Sequence, residues 1–366
     1  MSISQEKVII VGAGIIGLMT ALELLEQGYQ VEIFDQSTAA SAASWAGGGI
    51  LSPLYPWKYA AAVNQLAQYG KRRYLAWNEK LQPYTGMDFE IEQVGLCIFD
   101  QDQYAQALNY HQEFHEPEQI AYLLEDEALK RVNPHLAKDS AIYFPQLANI
   151  RNPRLVQSIL KYLHTHKNVV IHQHNAITKL LTTAQRITAV EDHTGQHHHA
   201  DQYVIATGAW TDILLQQFDL KYDIHPIHGQ MVLYKTPEKW LPTICMNKTM
   251  YLIPRRDGHI VCGSSTSDFG FDTGLHDDIS QNIIEASLTL VPELARFPIV
   301  KQWAGLRPAS PQGIPKIGRM QDMTNLWLNA GHYRNGLVMA PASARLLVEL
   351  MQGKTPFVDA RPYQCG

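Results

Sequence analysis

Three glycines at fixed spacing, Gly12-Ala13-Gly14-Ile15-Ile16-Gly17, follow the apolar run Lys7–Val11 and precede a helical pattern closing at Gln27 and Gly28. Each glycine has a physical task. The first permits a tight turn, the second lets backbone approach a pyrophosphate, and the third allows a helix to pack closely on a strand. The helix start then offers free N–H groups and a positive dipole end to phosphate. Asp35 lies 18 residues past Gly17, at the end of a second strand-like run Val31–Asp35. Together with Gln36 it is placed to accept hydrogen bonds from ribose hydroxyls. A lone glycine triplet is weak evidence, but triplet, strand, helix and acid occurring together predict dinucleotide binding.

That group of residues suits NAD and FAD alike, so later motifs decide. Tyr203–Ala209 is a hydrophobic run ending in Ala206-Thr207-Gly208, a pattern recurrent where FAD proteins pass near their cofactor; its plain reading is a buried strand and a turn. Ser44-Trp45-Ala46-Gly47-Gly48-Gly49-Ile50 lacks bulk where a flat ring could lie against backbone, and the flanking Trp45 and Ile50 argue for an ordered loop. Gly331-His332-Tyr333-Arg334-Asn335-Gly336 feeds a helix from Leu337 whose N-terminus could face a flavin pyrimidine ring and stabilise negative charge there. The cofactor expected is FAD. No attachment motif surrounds Cys245 or Cys262, so it is expected to be non-covalent.

The elements around these motifs fall into blocks. Ala60–Leu81 has helical composition, the chain turns strand-like near Phe89, and a polar, helical region ends near Pro134. Arg154–His166 has helical spacing. Val169–His172 and Tyr203–Ala206 read as buried strands, with a hairpin carrying Thr194-Gly195-Gln196 between them. Gln230–Tyr234, Met250–Ile253 and His259–Gly263 are strand candidates, the last two joined by a turn at Arg256-Asp257-Gly258. Asn325–Ala330 leads into the last glycine turn and a helix from Leu337 to Met351. Dinucleotide-type features thus stand at the start, middle and end, with antiparallel-looking material between, which predicts two interwoven domains.

Size and composition agree. The chain has 366 residues, 46% of them hydrophobic, enough for two cores. A net charge of -5 with scattered Lys and Arg gives no electrostatic footprint for nucleic acid. Four dispersed cysteines form no disulfide framework or zinc site and suit a reducing cytoplasm. Lys7 and the run Val8–Met19 mimic a leader, but its spaced glycines argue against one, and no stretch is long enough to span a bilayer. His197-His198-His199 could suggest a metal, yet three adjacent histidines rarely converge on one ion, so the reading is a polar hairpin and no metal.

The chain resembles the D-amino acid oxidase family of FAD enzymes, most closely the bacterial branch that oxidises glycine for thiamine biosynthesis. The resemblance spans essentially the full length. Its most specific stretches are Ser44–Trp57, Tyr251-Leu-Ile-Pro-Arg255, Trp303-Ala-Gly-Leu-Arg-Pro308 and Gly331–Gly336. It implies an α/β (α+β) fold in which a glutathione-reductase-like FAD-binding Rossmann domain (residues 1–85, 150–222 and 306–366) is interwoven with a substrate domain on a large antiparallel sheet (residues 86–149 and 223–305). Carried over by motif, Arg307 would pair with the substrate carboxylate, Tyr251 would add a hydroxyl, and Arg334 would lie near flavin and substrate. Ala46 to Gly48 would line the flavin and Ala176 would contact the adenine side through its backbone. One departure is Thr249, two residues before Tyr251, where some members of that branch have histidine.

The chemistry follows from these assignments. A planar guanidinium holds a carboxylate by two parallel hydrogen bonds and so fixes orientation as well as position. The substrate α C–H can then face flavin N5 and yield its hydride, with no protein nucleophile and no base such as His332. The implied products are an imino acid, hydrolysing to an oxo acid and ammonia or an amine, and hydrogen peroxide from dioxygen. The expected substrates are glycine, sarcosine and small D-amino acids, with dehydroglycine for the thiazole of thiamine as the physiological product. A D-amino acid dehydrogenase passing electrons to a quinone, an FAD domain for tRNA modification, and a non-catalytic flavin protein are the competing readings. Monomer and homo-oligomer both stay open.

Overall fold

The computed structural model describes residues 6–114, 120–218 and 220–366. The opening run Lys7–Val11 lies inside a six-stranded sheet, ordered 316–319, 326–330, 202–205, 7–11, 30–34, 169–172; all neighbours run parallel except the antiparallel edge pair Lys316–Arg319 and Leu326–Ala330. Its lack of polar alternation has a simple cause. Val8 and Ile10 pack under the helices Ile15–Glu26, Ala61–Thr85, Asn152–His164 and Gly336–Met351, while Ile9 and Val11 pack under a small antiparallel sheet on the opposite face. A strand covered on both faces must be apolar at every position.

The second large sheet has eight strands, ordered 299–309, 225–235, 259–263, 251–254, 244–246, 96–98, 140–144, 122–125. Here alternation is visible because the two faces meet different partners. Val232, Tyr234, Leu252 and Cys262 face the helix Asp277–Leu290, whose Ser287 hydroxyl lies 3.0 Å from the Tyr234 hydroxyl. Met231, Tyr251, Ile253 and Val261 face the other way, toward residues 50–57 and the helix Tyr104–Phe114. The structure thus bears out an α/β fold with a mostly parallel dinucleotide-type sheet and a large, mostly antiparallel one.

Three details differ from the sequence reading. A first hairpin between residues 172 and 203 turns at Ala184-Gln185, between the strands Ile177–Thr183 and Arg186–Asp192. Ala184 takes the left-handed conformation there (φ 50°), so no glycine marked the turn. Thr194-Gly195-Gln196 turns a second hairpin, the one expected, between Arg186–Asp192 and His197–His198; the Asp192 carboxylate organises it by accepting from the Thr194 N–H and hydroxyl and the Gln196 N–H. The polar region before Pro134 holds helices Tyr104–Phe114 and Asp126–Val132 with the edge strand Tyr122–Glu125 between them. The strands Leu96–Ile98 and Ile244–Met246, three residues each, are too short to show a period and pair in parallel. Among the described residues no helix is long and apolar enough to cross a membrane.

Candidate active site

A cavity of about 490 Å³ runs along the seam between the two large sheets. Its inner end is built by the first glycine turn. Gly12 has φ +109°, and a Cβ there would lie 2.4 Å from the Ala206 carbonyl oxygen. A Cβ on Gly17 would lie 1.9 Å from the Gly12 oxygen, so helix and turn can touch only through glycine. Gly14 differs: its nearest neighbour is the Ser44 hydroxyl at 3.2 Å, and it faces the cavity. Ile15, Ile16 and Ser44 line the wall beside it, with the Ile15 N–H donating to Ser44 Oγ (2.7 Å). This turn leaves backbone bare where a pyrophosphate would lie.

Asp35 and Gln36 line the same end. The Asp35 carboxylate also accepts from the Ala13 N–H (2.7 Å) and from the Ser37 N–H and hydroxyl (2.9 and 3.0 Å). It therefore ties the glycine turn to the second strand, and a carboxylate with about four acceptor sites still has capacity for a ribose hydroxyl. Ala176 lines the wall nearby, its carbonyl accepting from the His193 N–H (2.8 Å). Thr207 and Gly208, at the end of strand Gln202–Ile205, form the adjoining wall with Trp210.

Ala46, Gly47 and Gly48 continue the wall toward the antiparallel sheet. A Cβ on Gly48 would meet Ile253 Cδ1 at 2.7 Å and the Tyr251 ring at 2.9 Å, so the loop lies flat against that sheet. Opposite, His332, Tyr333, Arg334, Asn335, Gly336 and Leu337 line the cavity where the helix Gly336–Met351 begins. His332 is buried, with Nε2 bonded to Ser343 Oγ (2.9 Å), and burial holds its imidazole down at about 3.

At the outer end Arg307 lines the cavity without a carboxylate among its hydrogen-bond partners. Its Nη1 donates to the His228 and Ser265 carbonyls (3.3 and 3.0 Å) and its Nη2 to Ser264 Oγ (2.6 Å). Burial pushes its pKa down, and Tyr251 and Arg334 both act on its charge. The Tyr251 hydroxyl makes a long contact to the weak acceptor Met231 Sδ (3.7 Å) and is hydrogen-bonded to the Arg307 guanidinium. Arg334, exposed at the cavity edge, donates to Thr266 Oγ1 (2.5 Å). Among the described lining residues the two guanidiniums at this end face one carboxylate, Asp35, at the other. Such a site attracts an anion at its arginine end.

Four expected contacts do not reach the cavity wall. Trp45 packs edge-to-face on Trp303 (5.4 Å) beneath the Lys301 ammonium, because the neighbouring Ala46 carbonyl is drawn to the Trp303 indole N–H (3.0 Å). Ala13 is turned inward by its bonds to Asp35 and Ala40, Gly17 is spent on helix packing, and the Gly331 carbonyl is held by the Ser310 hydroxyl. Conversely, Gly229, Met231, Ser264 and Asn152 line the cavity although no motif indicated them. Only Asn152 carried a signal, as the residue before a proline at a helix start. The three histidines 197–199 separate toward Glu191, Asp192 and the Thr188 carbonyl. The four cysteines are free and buried, and none lines the cavity.

The family model described as DAO, FAD dependent oxidoreductase, matches residues 7–350. A glycine oxidase of Pseudomonas aeruginosa is 41% identical over 98% of both chains. A bifunctional protein ThiO/ThiG of a Nostoc species is 30% identical over 94% of this chain and 52% of its own length. The crystal structure of glycine oxidase from Geobacillus kaustophilus superposes with a TM-score of 0.92 at 24% identity, covering 99% of both chains.

Proposed function

The chain belongs to the DAO family of FAD-dependent oxidoreductases, and from that premise we propose that it oxidatively deaminates glycine, sarcosine and small D-amino acids. FAD, when bound, supplies the hydride acceptor and is reoxidised by dioxygen, so that the products are an imino or oxo acid, ammonia or an amine, and hydrogen peroxide. The observation that carries this reading is the Arg307 guanidinium, lining the cavity with no carboxylate bonded to it.

In this reading the chain's own residues bind and orient. Arg307 holds the substrate carboxylate through a two-pronged contact, and the Tyr251 hydroxyl exchanges its poor thioether partner for a carboxylate oxygen. Arg334 closes the outer side. Gly12, Gly14, Ile15, Asp35 and Gln36 hold the adenosine and pyrophosphate. Ala46 to Gly48, with His332 to Leu337, flank the flavin, and Ala176, Thr207 and Gly208 complete the cradle. The division into residues 1–85, 150–222 and 306–366 for FAD and 86–149 and 223–305 for substrate is supported by the sheets. All six strands of the parallel sheet fall in the first set, and all eight of the antiparallel sheet in the second, apart from positions 306–309 of the strand Ile299–Ala309. The relatives joined to ThiG support dehydroglycine for thiamine as the physiological product.

The test is peroxide release in air by the purified yellow protein with glycine, sarcosine, D-alanine, D-proline and L-alanine, repeated anaerobically with an artificial electron acceptor. Peroxide with glycine, sarcosine or the D-substrates is the expected result. Turnover only with the artificial acceptor would make the enzyme a dehydrogenase, and a flavin that none of them reduces would overturn the substrate class.

A further inference from the structure

Arg255 ends the motif Tyr251-Leu-Ile-Pro-Arg255, and its side chain is 6% exposed. Its guanidinium stands behind the cavity wall and bridges two chain segments. Nη1 donates to Asn149 Oδ1 (2.6 Å) and the Ile150 carbonyl (3.0 Å), and Nη2 donates to the Gly48 carbonyl (2.7 Å). Those two segments already lie side by side: the Ile150 N–H donates to the Gly49 oxygen (2.8 Å) and the Leu51 N–H to the Ala148 oxygen (2.9 Å). Asn152 adds a bond from Nδ2 to the Ser44 carbonyl (3.2 Å). The glycine loop is therefore held by two buried polar side chains, Asn152 at Ser44 and Arg255 at Gly48, with Asn149 bracing Arg255.

The charge is conspicuous because none of these partners is a carboxylate. The acids nearby are engaged by other arginines: Glu90 with Arg151 and Arg154, Asp257 with Arg151, Glu92 and Asp88 with Arg256. Burial lowers the Arg255 pKa to about 10, which still leaves it charged at neutral pH. A buried charge without an ion-pair partner is costly, and a neutral amide could hold loop carbonyls at less expense. A trans peptide also points its C=O and N–H in opposite directions. Drawing the Gly48 oxygen back to Arg255 thus turns the Gly49 N–H away from the guanidinium, and both glycines line the cavity.

We propose that Arg255 is a positioning residue for the cofactor: it fixes the Gly48–Gly49 peptide against which the flavin lies and sets a positive charge one peptide behind it. The proposal rests on the reading that this loop flanks the flavin. Two variants separate geometry from charge. Arg255→Met removes both the fork and the charge, whereas Arg255→Lys keeps the charge alone.

Apoprotein of each is titrated with FAD, and the midpoint potential of the bound flavin is measured. Arg255→Met is expected to weaken FAD binding about tenfold or more, the loss of a buried hydrogen bond from a charged donor. Its flavin potential is expected to become more negative, because a cation near the reduced ring is lost. Arg255→Lys is expected to bind FAD more weakly than wild type while keeping the wild-type potential. Wild-type affinity and potential in Arg255→Met would overturn the proposal. If that variant does not fold, wild-type affinity in Arg255→Lys would overturn it instead, and failure of both to fold would make the residue purely structural and equally overturn it. A wild-type protein that binds FAD but is not reduced by glycine would sink the substrate reading and leave this one standing.

Discussion

The Arg307 guanidinium occupies the space that a side chain on Gly229 would need. A Cβ at Gly229 would lie 2.1 Å from Nη1, 2.2 Å from Nη2 and 2.3 Å from Cζ. The two residues stand on neighbouring antiparallel strands, in which Gly229 faces Gly305 and Arg307 faces Ile227. Gly229→Ala is therefore expected to displace the fork without touching the cofactor cradle. Losing a charge-assisted contact costs about 1.5–3 kcal/mol, or roughly a ten- to hundredfold rise in KM for glycine. Steady-state kinetics beside a flavin absorption spectrum check this, and an unchanged KM would mean that Arg307 does not hold the substrate.

Arg307→Lys replaces a planar fork by a point charge. A strong rise in KM with an unaltered flavin spectrum is expected. The same spectrum with an unchanged KM would remove Arg307 from the substrate site.

Gly14 and Gly17 are expected to fail differently. Gly14→Val points its side chain into the cavity, where only the Ser44 hydroxyl is near, so the chain should fold and lose its yellow colour. In Gly17→Ala the new methyl meets a backbone oxygen that cannot yield, so the first strand-turn-helix unit itself should loosen. Bound flavin per protein and thermal unfolding of the apoprotein distinguish the two. A Gly14→Val protein that stays yellow would contradict the pyrophosphate assignment.

His332 gives a pH dependence with a defined sign. Burial lowers its folded-state pKa from 6.5 to about 3. The unfolded chain therefore takes up a proton below about pH 6.5 that the folded chain refuses, and stability rises with pH across that window. This contribution is complete above 6.5 and is lost as pH falls toward about 3. Thermal midpoints measured from about pH 7 down to pH 4 should fall less steeply for His332→Gln than for wild type. Parallel slopes would show that the imidazole is not buried neutral.

What could be read in advance followed local rules. Gly12, Gly14, Gly17 and Asp35 were legible because each answers to one backbone requirement within one strand-turn-helix unit. Arg307, Tyr251 and Arg334 were legible only through resemblance, since no spacing rule links three residues that separate strands and a turn bring together. Gly229 and Met231 were invisible for the same reason: their meaning lies in the neighbouring strand. Arg255 stood in a quoted motif, but its three partners are more than a hundred positions away. Ala184 hid a turn by adopting a conformation usually left to glycine.

The Trp45–Trp303 pair has a practical consequence. Both indoles sit just outside the cavity, and one is bonded to the Ala46 carbonyl of the loop that lines it. Indole emission overlaps flavin absorption, so a ring bound against that loop would drain the excited state of its two neighbours by energy transfer. Such quenching would be an intrinsic optical gauge of occupancy, readable in apoprotein titrations without a label.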